Sequence, residues 1–125
     1  MKITGFNPSI ITNNPESVIA LFEELGFERT HNKVEEGDVS FSSVRMKDAN
    51  GFHVDVVETT AISRPQDITA TRINVDDFDE ACKLFEEHGF KPAEGFGAND
   101  TASSKYGYYV SPNKMVVDIC QHIKK

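Results

Sequence analysis

The chain has 125 residues, 13 Lys+Arg against 20 Asp+Glu, and a formal charge of −7. That length suits one compact domain, which buries roughly two-thirds of its unfolded surface without needing staples. The acidic balance excludes nucleic acid, whose binding rests on neutralised phosphates. No apolar run approaches the roughly 18 residues of a membrane span, and MKITGFNPSI lacks a signal-peptide layout, so no membrane partner is expected. Two cysteines are too few for a disulfide scaffold, which places the chain in a reducing cytoplasm.

Residues 3–12 are apolar and β-branched and read as a strand ending at Asn13-Asn14-Pro15. Asn14 is placed to cap a helix whose first position is Pro15, where a missing N–H costs nothing. Val18, Leu21, Phe22 and Leu25 keep the spacing of a core-facing stripe, and Gly26 ends the helix as a left-handed cap. Phe27 to Thr30 reads as a short strand and Val39 to Met46 as a longer one. Asp48-Ala49-Asn50-Gly51 has the chemistry of a tight hairpin, and Phe52 to Glu58 follows as a strand. Residues 59–68 are polar, contain Pro65 and form a linker.

Ile68 to Val75 opens a second series as a strand. Asp77, with Glu80 three residues later, has the pattern of a reciprocal capping box. Ala81, Leu84, Phe85 and His88 form its stripe, and Gly89 its end. Strands are expected over Phe90 to Ala93, Tyr106 to Ser111 and Met115 to Ile123, the last two joined by Pro112-Asn113-Lys114. Residues 94–105, rich in Gly and Ser, form one long irregular segment with the character of a flap.

The two series are one module repeated. Leu21-Phe22-Glu23-Glu24-Leu25-Gly26-Phe27 returns as Leu84-Phe85-Glu86-Glu87-His88-Gly89-Phe90 at an offset of 63, with six of seven positions identical. The same offset puts Ile10 on Ile73, Asn13 on Asp76, and Asn50 to Val56 on Asn113 to Ile119. Residues 1–62 and 63–125 are thus two β-α-β-β-β modules of a single α+β domain.

Two such modules, each with a helix ending in LFEE-x-GF and a turn before a strand with one central acid, resemble the vicinal oxygen chelate superfamily. This group comprises the glyoxalase, bleomycin-resistance and dioxygenase proteins, and the likeness spans essentially the whole chain. It implies cupped mixed sheets with helices on the convex side, a small-molecule site in the concavity, and a homodimer. Metal-dependent members hold a divalent ion through the first and last strand of each module. Carried over position by position, those ligands fall on Asn7, Asp55, Ala70 and Asp118. Ala70 cannot ligate and Asn7 is a weak neutral donor, so the four-ligand pattern is incomplete. Asp55 and Asp118 remain as candidate ligands for Zn, Ni, Mn or Fe, against the alternative of no cofactor and two acids left over in a metal-free pocket.

Period-2 alternation gives the acids their neighbours. With Val54, Val56, Val117 and Ile119 facing the helices, His53, Asp55 and Val57 share one cup-side face, as do Val116, Asp118, Cys120 and His122. Asn7 and Ser9 on the first strand, Arg72 two residues after Ala70, and Tyr106 and Tyr108 complete the candidate ligand-binding set, with Tyr109 packing outward. Arg72 suits a carboxylate or phosphate, or a salt bridge to one of the acids. His31 falls on a loop, His88 on a helix surface, and Cys82 between core residues as an inert thiol. There is no Ser-His-Asp arrangement, phosphate-cradling glycine loop or zinc-finger spacing. Three functions stay open: a metal-independent protein closing on an apolar or aromatic molecule, a lyase, isomerase or dioxygenase using Asp55 and Asp118, and a partner platform with an empty cup.

Overall fold

The computed structural model describes residues 1–35, 41–59, 66–93, 99–100 and 104–122. The linker over 60–65, most of segment 94–105, Val39, Ser40 and Ile123 lie outside the described residues. The elements run β1 (Ile3–Ile11), α1 (Pro15–Glu24), β2 (Glu28–Glu35), β3 (Phe41–Lys47), β4 (His53–Thr59), β5 (Ile68–Val75), α2 (Phe78–Glu87), β6 (Lys91–Pro92), β7 (Asn99–Asp100), β8 (Ser104–Val110) and β9 (Val116–His122). The chain divides into two compact units, Asn7–Thr69 and Ala70–Lys125 with Met1–Phe6.

In the first unit the strand order is β2-β3-β4-β1. β1 runs parallel to β4 with Ser9 opposite Asp55, and the other pairings are antiparallel. α1 covers one face, where Ile19, Met46, Val54 and Val56 form the core with Ile10, Val18, Phe22, Phe27 and Val44 packed against them. In the second unit the order is β5-β9-β8-β6, with β7 pairing β8. β5 runs parallel to β9 with Arg72 opposite Asp118, so the register repeats the same offset of 63. Its core is Val75, Phe78, Ala81, Tyr109, Val117 and Ile119 against α2, with Ile73, Cys82, Phe85 and Phe90 at its edge.

The repeated LFEE-x-GF segment has a definite local purpose. Phe27 N–H donates to the Phe22 carbonyl and Gly26 N–H to that of Glu23, at 2.9 and 3.1 Å. Phe90 to Phe85 and Gly89 to Glu86 repeat this at 3.0 and 3.1 Å. Both ends are Schellman motifs, in which only the residue after the cap is left-handed: Gly26 at φ 103° and Gly89 at φ 87°. The apolar contact that accompanies the motif is an edge-to-face phenylalanine pair, Phe22–Phe27 at 5.3 Å and Phe85–Phe90 at 5.0 Å.

The hairpin before each closing strand also recurs. Asp48 and Ser111 each exchange backbone hydrogen bonds across the turn, and their side-chain oxygens accept the N–H of Phe52 and Met115, both at 2.9 Å. The left-handed position is Gly51 in the first turn and Lys114, at φ 76°, in the second.

Four local expectations are corrected. The helix stripes are rotated: Leu21 and Leu25 are 54% and 63% exposed, and Leu84 and His88 are exposed too. The faces that pack are Val18, Ile19 and Phe22 in α1, and Phe78, Ala81, Cys82 and Phe85 in α2. Apolar residues lie on both sides of these helices, so spacing alone admitted two registers, and the sheet selected one. Asn14 stands at the N-cap without a side-chain cap bond; its N–H instead donates to Thr12 Oγ1 at 3.0 Å. Asp77 does cap α2 by accepting from Glu80 N–H at 3.1 Å, but Glu80 does not reciprocate, because its carboxylate binds the N-terminal amine at 3.2 Å. His31 lies in β2, which runs on past a register shift between Arg29 and His31 because β3 offers a full partner edge.

Candidate functional site

The helix-free face of the first unit collects buried polar groups because β1 and β4 both alternate. Val54 and Val56 take the helix side, which forces Asp55 to the other, and the odd residues Asn7 and Ser9 of β1 share that side. Ser9 and Asp55 are 0% exposed and Asn7 is 2% exposed. Asn7 Nδ2 donates to Asp55 Oδ2 at 2.7 Å and to the Pro8 carbonyl at 2.8 Å. Asn7 Oδ1 and Ser9 Oγ are buried and have no hydrogen-bond partner among the described residues.

The decisive neighbour of Asp55 is Arg45, directly opposite it on β3. Arg45 Nη1 lies 3.4 Å from Oδ1 and 3.2 Å from Oδ2, and its side chain keeps 23% of its surface in solvent against 1% for Asp55. Arg45 is not among the candidate ligand-binding residues named from the sequence. The signal was available in the turn: counting outward from Asp48–Gly51 pairs Lys47 with His53 and Arg45 with Asp55. His53 is half-buried on the same strand face. Burial, then the Arg45 and Lys47 charges, hold its imidazole below the ordinary 6.5.

In the second unit the equivalent positions carry different chemistry. Ala70, Arg72 and Asn74 occupy the helix-free side of β5, Asp118 and Cys120 that of β9, and Tyr106 and Tyr108 that of β8, with Asp118 directly opposite both Arg72 and Tyr108. All but the half-buried Arg72 are buried. Arg72 Nε donates to Asn74 Oδ1 at 3.0 Å, and its Nη2 approaches Cys120 Sγ at 3.6 Å. Gly5 makes room for this group, since a Cβ there would meet Asn74 Nδ2 at 2.6 Å. Tyr109 faces the other way, against Phe85 of α2. His88 is exposed at the end of α2 and His122 is exposed on β9. Burial, with Glu86 and Asp79 nearby, pushes the half-buried Cys82 thiol up, away from reactivity.

The structure therefore brings Asn7, Ser9, Asp55 and His53 onto one face, and Arg72, Tyr106, Tyr108 and Asp118 onto another. A divalent ion is a poor fit to the first group as it stands. The Asp55 carboxylate already carries a guanidinium, and Asn7 presents N–H rather than oxygen to it. Among the described residues, no three His, Cys, Asp or Glu side chains are grouped so as to hold a metal ion. Nor is any helix long and apolar enough to cross a membrane.

No protein-family model matches the chain, and no curated protein sequence does. Solved structures do match. Methylmalonyl-CoA epimerase from Mycobacterium tuberculosis superimposes with a TM-score of 0.72 at 11% identity, over 98% of this chain and 90% of that one. A glyoxalase/bleomycin resistance protein/dioxygenase superfamily member from Vibrio splendidus gives 0.59 at 17% identity, over 96% and 99%. A Streptomyces coelicolor methylmalonyl-CoA epimerase variant in complex with 2-nitronate-propionyl-CoA gives 0.65 at 12%, over 98% and 100%. With mixed strands backed by one helix in each unit, the chain has the fold of the vicinal oxygen chelate superfamily, that of the glyoxalase/bleomycin resistance/dioxygenase proteins.

Proposed function

We propose that the chain is a small-molecule-binding protein whose apolar or aromatic ligand lies on the helix-free sheet face of a unit and is held without a four-ligand metal centre. The observation that carries this reading is the state of the expected ligand positions. Ala70 has no donor, Asp55 is engaged by Arg45 and Asn7, and Asn7 Oδ1 and Ser9 Oγ are buried hydrogen-bonding atoms left for a guest. Tyr106 and Tyr108 supply aromatic surface of the kind that lines such sites. The reading includes a homodimer, whose second copy would cover the exposed Ile3 and Phe6, and a reducing, cytoplasmic setting that suits Cys82 and Cys120, which form no disulfide.

One observation favours a second reading, a metal-dependent lyase, isomerase or dioxygenase: a buried acid stands at both equivalent positions, Asp55 and Asp118. Elemental mass spectrometry on tag-free protein, with thermal shifts against Zn, Ni, Mn and Fe(II), separates the two. The first reading expects no stoichiometric metal and no shift. Native mass spectrometry against aromatic, catechol and acyl-CoA compounds then reports ligand and subunit stoichiometry together; acyl-CoA compounds are included because the epimerases of this fold carry that substrate in their names. Near-stoichiometric metal lost in Asp118→Ala would establish the second reading instead.

A further inference from the structure

We infer that Arg45 is a built-in cation standing where a divalent ion would neutralise Asp55, so that this face rejects metal as long as the guanidinium is present. The inference rests on the metal-free reading above and adds its physical cause. Asp55 is a carboxylate with 1% of its side chain exposed, and such a group needs a counter-charge to be buried at all. Arg45 supplies it from the directly paired position of β3, reaching both carboxylate oxygens. A divalent ion at Asp55 would sit within a few ångströms of that guanidinium, with repulsion weakly screened in a buried site.

The amide of Asn7 enforces the same polarity. Its Nδ2 has two acceptors, Asp55 Oδ2 and the Pro8 carbonyl, so turning the amide to offer oxygen beside Asp55 breaks both bonds. The second unit sets an arginine in register with its acid by a different route. Asp118 also has an arginine directly opposite, but it is Arg72 on the parallel neighbour β5, while the place equivalent to Arg45 is held by Tyr108. Two arginines at non-equivalent positions thus stand in register with the two equivalent acids, and for Asp55 that arginine is the ion-pair partner.

The test is Mn²⁺ titration by calorimetry and paramagnetic resonance, since carboxylate, amide and hydroxyl oxygens suit that ion. It is run on the wild type, Asp55→Asn, Arg45→Ala and the double variant. The expected result is no Asp55-dependent Mn²⁺ in the wild type, and in Arg45→Ala a site at least about tenfold tighter that vanishes in the double variant. Arg45→Gln, which removes the charge but keeps an amide donor, is read the same way if Arg45→Ala does not fold without the ion. Wild-type Mn²⁺ that disappears in Asp55→Asn would overturn both the inference and the metal-free reading. A folded Arg45 variant that gains no Mn²⁺, beside a wild type that binds none, would overturn the inference alone.

Discussion

Replacing Asp55 by Asn keeps the shape of the side chain and removes one charge, so its cost measures what the ion pair contributes. Two unit charges 3.2 Å apart attract by about 5 kcal/mol at an effective dielectric constant near 20. Desolvation of the carboxylate offsets part of that. Removing one partner of a buried pair costs about 3–5 kcal/mol, because the survivor is left uncompensated. Arg45 keeps 23% of its side chain in solvent and can rehydrate, which argues for the lower end, about 3 kcal/mol. At roughly 4 °C per kcal/mol for a domain of this size, the midpoint of thermal unfolding should fall by about 12 °C. Circular-dichroism melting at neutral pH in low and high salt reads this directly, and the loss should change little with salt because the carboxylate is buried. An internal control is Glu23→Gln, which removes the exposed Glu23–Arg29 contact at 3.4 Å and should cost at most about 0.5 kcal/mol. If Asp55→Asn costs less than about 1 kcal/mol, the pair is energetically a surface contact, and the account of Asp55 as a carboxylate dependent on Arg45 is wrong.

The duplicated turn gives a second, opposed pair of expectations. Lys114 adopts φ 76° where the first turn has Gly51 at φ 88°. Lys114→Gly should therefore stabilise the chain or leave it unchanged, by up to about 1 kcal/mol, while Gly51→Ala, which meets nothing within 4 Å, should cost about 1 kcal/mol from backbone conformation alone; urea titration of both variants checks the signs. His53 sets a pH dependence. Its folded-state pKa lies below 6.5 because of burial and the Arg45 and Lys47 charges, so between the two values the unfolded chain binds the extra proton. This contribution to stability is complete above about 6.5 and is lost as pH falls below it, so melts from pH 5 to 8 should show a slope that His53→Gln flattens.

Much of the fold was legible because its strongest signals are local. LFEE-x-GF encodes a Schellman cap and the phenylalanine pair that closes it, and both depend on residues within one turn of chain. Asp48 and Ser111 build their hairpins from their own side chains. Strand alternation then dictates that Asp55 and Asp118 oppose the core-facing valines and isoleucine beside them. The clamp at the start of α2 was not legible: Gln121 accepts from Phe78 N–H at 2.8 Å and donates to the Asp76 carbonyl at 3.0 Å, across more than forty residues. Nor was the face of α1, since Leu21 and Leu25 satisfy helical spacing as well as Val18, Ile19 and Phe22 do.

By itself, then, the amino-acid sequence determined the repeat, the order of elements, the caps and turns, and which strand faces carry the acids, because each follows from backbone geometry over a few residues. Only the tertiary structure decided what those acids are. A carboxylate on a strand can be a metal ligand, a solvated relic or half of an ion pair, and the difference lies in which residue the neighbouring strand sets opposite it. For Asp55 that residue is Arg45, and for Asp118 it is Arg72 on one side and Tyr108 on the other. Register between strands is settled by the packing of whole faces against the helices, and through it one-residue choices far along the chain set the charge of the site.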